Sequence, residues 1–416
     1  MRALILGQGA REHALIWKFS RSFRISGLYC APGNAGTAEL ATNLPELSET
    51  DAEGLVAACR REEIDMVFVG GESALAAGVV DALQAAGIAA VGATAAAAQL
   101  EASKAISKDF MHRHGVATAE AEVFDDFEAF ERYVREAEYP VVLKKSGLAA
   151  GKGVLETEDK EAMLEFGRET LLDDQLLVEE RLTGYEISVF ALTDGTNYTL
   201  LPPCADYKKA GEGGTGPNTG GMGAICPVPW VTPEVMEQVR KRVVAPTFAG
   251  LELDSLRFTG VLYFGLMITA DGPKLLEYNV RFGDPEAQVL LPLIKSDFGS
   301  LCEALIEGKL DKFPLELSRK TALAVVLASP GYPGSYPRNI LVEELPTNNR
   351  KELLVFHSAT ATDGDRVVTG GGRCFTVVGI GHELLEARGT AYSAVKNIKF
   401  KGAWCRPDIG GTIFGQ

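Results

Sequence analysis

Between residues 1 and 91 the chain repeats one pattern, a short apolar run followed by a helical stretch. Residues 3–6 are apolar and end at Gly7, and residues 11–20 read as a helix. Strand patterns recur at 27–30, 65–69 and 88–91, with helices expected at 51–61 and 74–86. Such alternation predicts a parallel sheet with helices on both faces. Ligands of these folds sit at the carboxyl ends of the strands. Those ends carry Gly7-Gln8-Gly9, Pro32-Gly33-Asn34-Ala35-Gly36-Thr37 and Gly70-Gly71-Glu72. A dinucleotide fingerprint would put a third glycine at position 12 and an acid at the end of the second strand. The chain has Glu12 there, and Cys30 and Ala31 at the strand end. The two glycines still leave room for an anion at the following helix N-terminus.

The 416 residues allow about three domains. A net charge of -15 argues against a general nucleic-acid or anionic-membrane binder. It leaves small anionic substrates open, since a few placed cations suffice for them. The seven cysteines are scattered and form no Cys-x-x-Cys pair, as expected of reduced thiols in a cytoplasmic protein. The five histidines show no metal spacing. No apolar run reaches membrane-spanning length, and the N-terminus reads as a strand rather than a leader.

Further along, 94–114 is helix-rich with Lys104 in its middle. A strand at Val123, a helix at 127–138 and a strand at 141–145 come next. After a glycine-rich turn come strand 154–156, helix 160–171 and strands at 175–179, 186–193 and 196–202. Residues 211–223 are glycine-dense and are expected to form an irregular loop. Helix 232–249 opens with Thr232, Pro233 and Glu234 as cap, first-turn proline and acid. Strands 259–269 and 274–280 follow, then strands at 322–328 and 375–380 and a helix at 383–398.

The segment Glu277-Tyr278-Asn279-Val280-Arg281-Phe282-Gly283-Asp284-Pro285-Glu286 carries the clearest chemistry. On a strand, residues two apart share a face, so Glu277, Asn279 and Arg281 look out together. A carboxylate and an amide oxygen suit Mg²⁺, which is completed by substrate phosphate oxygens. Arginine beside them suits a carboxylate or phosphate. The segment reads as a metal–nucleotide site.

Lys144 ends a strand, and Gly147-Leu148-Ala149-Ala150-Gly151-Lys152-Gly153 follows. The spacing is one residue short of a Walker loop and Gly153 replaces its Ser or Thr. The run fits a flap folding backbone N–H groups over phosphates, and equally a tight hairpin with incidental lysines. Glu179 to Leu182 leaves a strand for a turn, with Glu186 beyond it. That is an edge suited to adenine and ribose, or plain surface charge.

The order Lys104, Lys144, Glu179, Glu186, Glu277, Asn279 resembles the ATP-grasp superfamily. The finer motifs resemble the glycinamide ribonucleotide synthetase (phosphoribosylamine–glycine ligase) family. They are Gly7-x-Gly9-x-Arg11-Glu12-His13-Ala14, 31–37, 147–153, Thr215 to Gly223 and Arg281 to Glu286. The likeness runs from Met1 to Cys405-Arg406-x-Asp408-Ile409-Gly410. It implies an α/β protein in three parts. These are a Rossmann-like N-terminal domain (1–103), an ATP-grasp domain of two α+β subdomains with a flap (104–312, with a mobile lid near 115–184) and a small α+β C-terminal domain (313–416).

The resemblance also implies roles. ATP and Mg²⁺, or Mn²⁺, would be the cofactors, and glycine and 5-phosphoribosylamine the substrates, in purine synthesis. Lys104 and Lys144 would meet the phosphates, under a flap containing Gly147, Gly151, Lys152 and Gly153. Glu179 and Leu182 would bracket adenine, Glu186 would hold ribose, and Glu277 and Asn279 the metal. Arg281, Asp206, Lys144 and Asp284 would be catalytic. Gly9, Arg11, Asn34, Thr37, Glu72, Asn218, Thr219, Gly220, Arg281, Gly283 and Asp284 would line the substrate pocket. Contacts would be with small molecules and, transiently, neighbouring pathway enzymes, not with nucleic acid or membrane.

The chain departs from the family pattern at Gly70-Gly71-Glu72-Ser73-Ala74, at Lys145-Ser146, at Asp206-Tyr207-Lys208-Lys209 and at 211–214. A sister ligase with another amine or amino acid is the alternative.

Overall fold

Strand Arg2–Gly7 is buried along nearly its whole length. It has a neighbour on each edge and helices on each face, which explains its unbroken apolar run. Gly27–Pro32 and Met66–Val69 flank it in parallel register, and Thr42–Asn43 and Ala89–Val91 form the edges of this five-stranded sheet. The computed structural model describes residues 1–137, 140–147, 153–346 and 351–411. Gly151 and Lys152 of the expected flap lie outside them.

A four-stranded antiparallel sheet, in the order Ala121–Phe124, Leu176–Glu180, Val141–Lys145, Val154–Glu156, packs on helices Phe127–Glu136 and Lys160–Thr170. Phe130, Val134, Leu143, Leu164 and Val178 give it a separate apolar core. A second antiparallel sheet joins Tyr198–Leu200, Tyr185–Asp194, Thr259–Thr269 and Gly272–Asn279. Its last strand faces Glu277 to Gly265 and Asn279 to Tyr263 across the pair, and an irregularity of register falls at Leu276. Beyond that bulge the expected alternation holds, with Tyr278 and Val280 buried beneath.

The fourth large sheet takes strands from distant parts of the chain. Ala205–Asp206 and Gly223–Cys226 continue into Thr321–Ala328, Arg373–Gly381 and Leu353–His357. Helix Leu384–Val395 covers one face through Ala387, Ala391 and Ala394. Among the described residues no helix is long and apolar enough to cross a membrane.

Four expectations change. The helix expected at 74–86 is two, Glu72–Ala76 and Val79–Ala85, broken at Gly78 with φ +75°. That left-handed turn suits glycine and ends the first helix. The stretch 94–114 likewise divides at Ser103, so Lys104 opens helix Lys104–Arg113 instead of sitting mid-helix. The glycine-dense 211–223 is no irregular loop. Lys209–Gly211 and Thr215–Asn218 pair as a hairpin, and left-handed Gly213 and Gly214 make its turn. Helix 232–249 widens at Arg240–Val244 into a π segment. Pro246 brings no N–H to the carbonyl four residues back, and that carbonyl, of Arg242, accepts from the Ala117 N–H at 3.0 Å.

Two glycines make opposite predictions. A Cβ at Gly167 would lie 2.0 Å from the Phe130 ring, so Gly167→Ala should cost about 1–3 kcal/mol by overpacking. At Gly389 on helix Leu384–Val395 a Cβ meets nothing within 4 Å, so Gly389→Ala should add up to about 1 kcal/mol. Calorimetric midpoints of the two variants check both, and a stabilised Gly167→Ala would mean the lid core has slack.

Candidate functional site

At the end of strand Arg2–Gly7 the expected anion cradle is already filled. The Gly9 N–H donates to Glu12 Oε2 at 2.7 Å. A Cβ at Gly7 would lie 2.5 Å from Glu12 Cγ, and one at Gly70 2.4 Å from its Oε1. The Glu12 carboxylate takes the place where a dinucleotide pyrophosphate would sit. This removes the dinucleotide reading and the free anion site at that helix end. Asn34 and Thr37 are spent internally as well. Asn34 Nδ2 donates to the carbonyls of Gln8 and His357, at 2.8 and 3.0 Å, and its Oδ1 accepts from the N–H groups of Gly36 and Thr37. The Thr37 hydroxyl donates to Asn34 O, and the residue is wholly buried. These two side chains shape the loop and do not face a ligand.

Arg11 bridges outward from this crevice. Its Nε donates to Glu12 Oε1 at 2.6 Å, and its guanidinium donates to Phe282 O at 3.1 Å and lies 3.7 Å from Glu72. Arg281 lies across from it. One guanidinium nitrogen is 2.8 Å from Glu101 Oε1, and Nε is 3.4 Å from Glu72. That Nε is buried and, apart from the ion pair with Glu72, makes no well-aligned hydrogen bond among the described residues. A buried N–H of this kind invites an anionic or carbonyl ligand. Glu101, which the sequence did not suggest, also accepts from the Val280 N–H at 2.8 Å, holding the chain just after Asn279. Burial pushes the Glu101 carboxyl up and Arg281 opposes it. For Glu72 burial also pushes up, but Arg281 and Arg11 prevail and hold it at about 2.

Asp284 sits 2.8 Å from Gln288 Nε2, which donates to it, and 3.2 Å from Arg373. Burial raises its carboxyl, yet Arg373 and Arg11 bring it below the ordinary range. Arg373 comes from the C-terminal strand Arg373–Gly381 and also donates to the carbonyls of Gly220, Gly221 and Asp284. It thereby joins the predicted residue Gly220 to Asp284. A Cβ at Gly283 would fall 2.4 Å from Glu286 Oε2, so glycine there lets Glu286 fold inward, where it accepts from the Ser188 hydroxyl at 3.0 Å.

The nucleotide-side residues gather at the junction of the two central sheets. Lys104, capped by Ser103, donates to Gly147 O at 3.2 Å. A cation at a helix N-terminus opposes the dipole, which makes a structural reason for it poor. Burial lowers the Lys104 ammonium while Glu277 raises it. Lys144 and Lys108 grip one carboxylate, Glu179, at 2.6 and 2.8 Å. Lys108 was missed, although its i,i+4 spacing from Lys104 places both on one helix face. Lys208 lies 2.6 Å from Glu186. Asp206 is pushed up to about 7 by burial, with Lys208 opposing and Glu286 and Glu186 adding. Thr219 donates through N and Oγ1 to Lys208 O, both at 2.8 Å, and Asn218 pairs with Lys209. Leu182 follows the strand Leu176–Glu180, half-buried.

Two departures from the family pattern are explained locally. Ser146 is buried, and its hydroxyl accepts from the Ala105 N–H, helping to cap the Lys104 helix. Lys145 turns away to Asp173 at 3.0 Å.

Glu277 and Asn279 share their strand face, and neither side chain has a hydrogen bond or ion pair with another described residue. Every neighbouring acid named above has a partner or is pushed toward its neutral form. An unspent carboxylate with an amide oxygen fits Mg²⁺, which takes one or two carboxylates and completes its shell with phosphates and water. No cluster of three or more acidic, histidine or cysteine ligands occurs among the described residues.

The comparisons cover the whole of this arrangement. Residues 1–101 match the phosphoribosylglycinamide synthetase N domain, 102–287 its ATP-grasp (A) domain, and 322–412 its C domain. The chain belongs to the phosphoribosylglycinamide synthetase family. It is 46% identical to the phosphoribosylamine–glycine ligase of Chlorobaculum tepidum, over 99% of both chains. It is 43% identical to the trifunctional purine biosynthetic protein adenosine-3 of Gallus gallus, over 98% of this chain and 42% of that one. The crystal structure of phosphoribosylamine–glycine ligase from Thermotoga maritima superposes with TM-score 0.87 at 33% identity, covering 98% of this chain and 100% of that one. Family membership accounts for the four large sheets and for the ATP-grasp fold of the central part.

The Glu72 pairing predicts a pH dependence. Its folded value of about 2 lies below the ordinary 4.5. The stabilisation is therefore present above about pH 4.5 and is lost as pH falls toward 2. Glu72→Gln should flatten the fall of the thermal midpoint across roughly pH 5 to 3. An unchanged slope would mean the carboxylate is not held by the two arginines.

Proposed function

We propose that the protein joins glycine to 5-phosphoribosylamine with ATP, giving the phosphoribosyl glycinamide, ADP and phosphate. The observation that carries this reading is the unspent Glu277–Asn279 pair. It lies with Lys104 and Lys208 among its electrostatic neighbours and Arg281 two residues on. Metal ligands and a carboxylate-binding guanidinium thus follow each other along one strand end, with phosphate-binding cations from other elements beside them.

In this reading Lys104 and Lys144 bind the triphosphate, under the flap that the sequence leads one to expect. Leu182 and the backbone after Glu179 bracket adenine, and Glu186 takes ribose hydroxyls. Glu277 and Asn279 would hold Mg²⁺ or Mn²⁺, which supplies charge neutralisation for the transferring phosphoryl group. Arg281, whose Nε–H makes no well-aligned hydrogen bond among the described residues, holds the glycine carboxylate. A glycine oxygen attacks the γ-phosphorus, the bond to the bridging oxygen breaks, and ADP leaves glycyl phosphate behind. The lysines carry the charge that develops on the departing oxygens. The ribosylamine nitrogen then attacks the acyl carbon, the carbon–oxygen bond breaks and phosphate departs. Asp206, held to about 7, is suited to accept the surplus amine proton near neutral pH. Asn218 to Gly220 line the acceptor side, with Gly283 and Asp284. Gly9, Arg11 and Glu72 line the crevice beside them. Alignment supplies much of the rate, since effective molarities reach about 10⁵ M and beyond.

The unpaired thiols fit a cytoplasmic enzyme, and the trifunctional avian relative hints at the purine pathway. ADP release should need MgATP, glycine and fresh phosphoribosylamine together. Turnover indifferent to the amine, or favouring another amino acid, would point to a sister ligase. Glu277→Gln should lower kcat about a hundredfold or more with an unchanged circular dichroism spectrum. Near-wild-type turnover by the folded variant would remove the metal assignment.

A further inference from the structure

The motif Arg406-Pro407-Asp408-Ile409-Gly410 takes no part in the chemistry above, yet it is among the most tightly bonded segments of the C-terminal unit. Arg406 is 3% exposed. Its Nε and one terminal nitrogen donate to the two oxygens of Asp408 at 2.9 and 2.6 Å, and the other terminal nitrogen donates to Lys209 O at 2.7 Å. Asp408 also accepts from the Gly213 N–H at 2.9 Å, at the turn of the hairpin. Tyr207 completes the set. Its ring lies 5.3 Å from the Arg406 guanidinium carbon, and its hydroxyl accepts from the Gly410 N–H at 2.9 Å. Helix Leu384–Val395 anchors the motif in turn, with Tyr392 donating to Arg406 O at 2.6 Å and Arg388 to Ile409 O at 3.0 Å.

The clamp grips the back of the segment whose front enters the site. Asp206 and Lys208 face Glu186 and Glu286, while Tyr207, between them, faces Arg406. The gripped arm carries the other one, because Lys208 O accepts both bonds from Thr219 and Lys209 pairs with Asn218. The hairpin tip is exposed and has glycines at 213, 214 and 216, so it has few side chains with which to hold itself.

We infer that Arg406, Asp408 and Tyr207 are positioning residues for the acceptor amine, fixing the hairpin Lys209–Asn218 and the residues at its base from behind. The inference rests on the ligase reading and adds to it the part of the fold that presents the amine.

The test is steady-state kinetics of Arg406→Ala, Arg406→Lys and Asp408→Asn with ATP, glycine and phosphoribosylamine. Glycine hydroxamate formation is measured alongside, with hydroxylamine in place of the amine. We expect kcat/KM for phosphoribosylamine to fall at least about tenfold, as for loss of a buried charged bond. KM for ATP and the hydroxamate rate should stay within about threefold of wild type. Arg406→Lys, lacking the planar fork, should not rescue. Asp408→Asn keeps nearly all the atoms in place and carries the test if Arg406→Ala does not fold. Equal losses in the amine, ATP and hydroxamate parameters would overturn the inference in favour of a merely structural role, and so would unchanged amine kinetics. A wild-type protein inactive in both assays would overturn the ligase reading and this one with it.

Discussion

The site depends on one buried cation. Arg281 is shielded from water between Glu101 and Glu72, and taking a guanidinium out of water costs several kcal/mol unless carboxylates and hydrogen bonds replace the lost solvent. The two acids come from different elements. Glu101 lies on helix Ala95–Ala102, just before Lys104, and Glu72 opens the helix that follows strand Met66–Val69. The same network reaches Arg11 on the first helix. One guanidinium therefore ties the parallel sheet, the helix before Lys104 and the end of strand Gly272–Asn279 into a single arrangement. Glu101 acts twice, since its second oxygen accepts from Val280 and so fixes where Asn279 ends. Removing either acid would leave an uncompensated charge at the point where the parts of the molecule meet.

Legibility in the sequence followed the range of the interaction. The parallel sheet was readable because a central strand such as Arg2–Gly7, covered on both faces, must be apolar throughout. The alternation of Glu277 and Asn279 was readable because strand periodicity is local, and the bulge at Leu276 falls before it matters. By contrast, Ala205–Asp206 is a strand only through its pairing with Gly223–Cys226, and nothing in its own composition marks it. The same holds for Arg373 and Glu101, whose meaning lies in carbonyls and carboxylates on other elements. Asn34 and Thr37 show the converse. Short polar side chains serve a loop's own backbone as readily as a ligand, and composition cannot separate the two uses. At 211–223 glycine density concealed a hairpin, because the glycines that matter lie at its turn while Thr215 and Asn218 pair.

Glu12 illustrates how little must change to redirect a crevice. The sheet order and the Gly7–Gly9 turn would serve a dinucleotide, but a carboxylate at the third position folds back over the helix N-terminus and accepts the N–H that pyrophosphate would take. It then pairs with Arg11, turning an anion site into the base of an interface. The departures at 206–214 have a similar logic. Tyr207 is accommodated because the C-terminal motif supplies a guanidinium for its ring and an N–H for its hydroxyl, so the altered segment has its partners within this chain.

The charges of the nucleotide side explain why the lysines alone do not complete it. Lys108 and Lys144 share Glu179, and Lys208 is matched by Glu186. Only Lys104, among these described lysines, has a carbonyl rather than a carboxylate as its ion-distance partner, and its nearest opposite charge by influence is Glu277. The site is thus close to balanced before any ligand enters, in a protein whose net charge is -15. A triphosphate brings several negative charges into this balanced set, and long-range attraction cannot offset them, because salt screens exposed charges beyond about 8–10 Å. In the proposed reading the missing positive charge would arrive with the nucleotide. Glu277 and Asn279 are the oxygen donors left without protein partners, and they stand where that charge is needed. In the proposed reading the lysines would meet the phosphates from prepared, partly dehydrated positions.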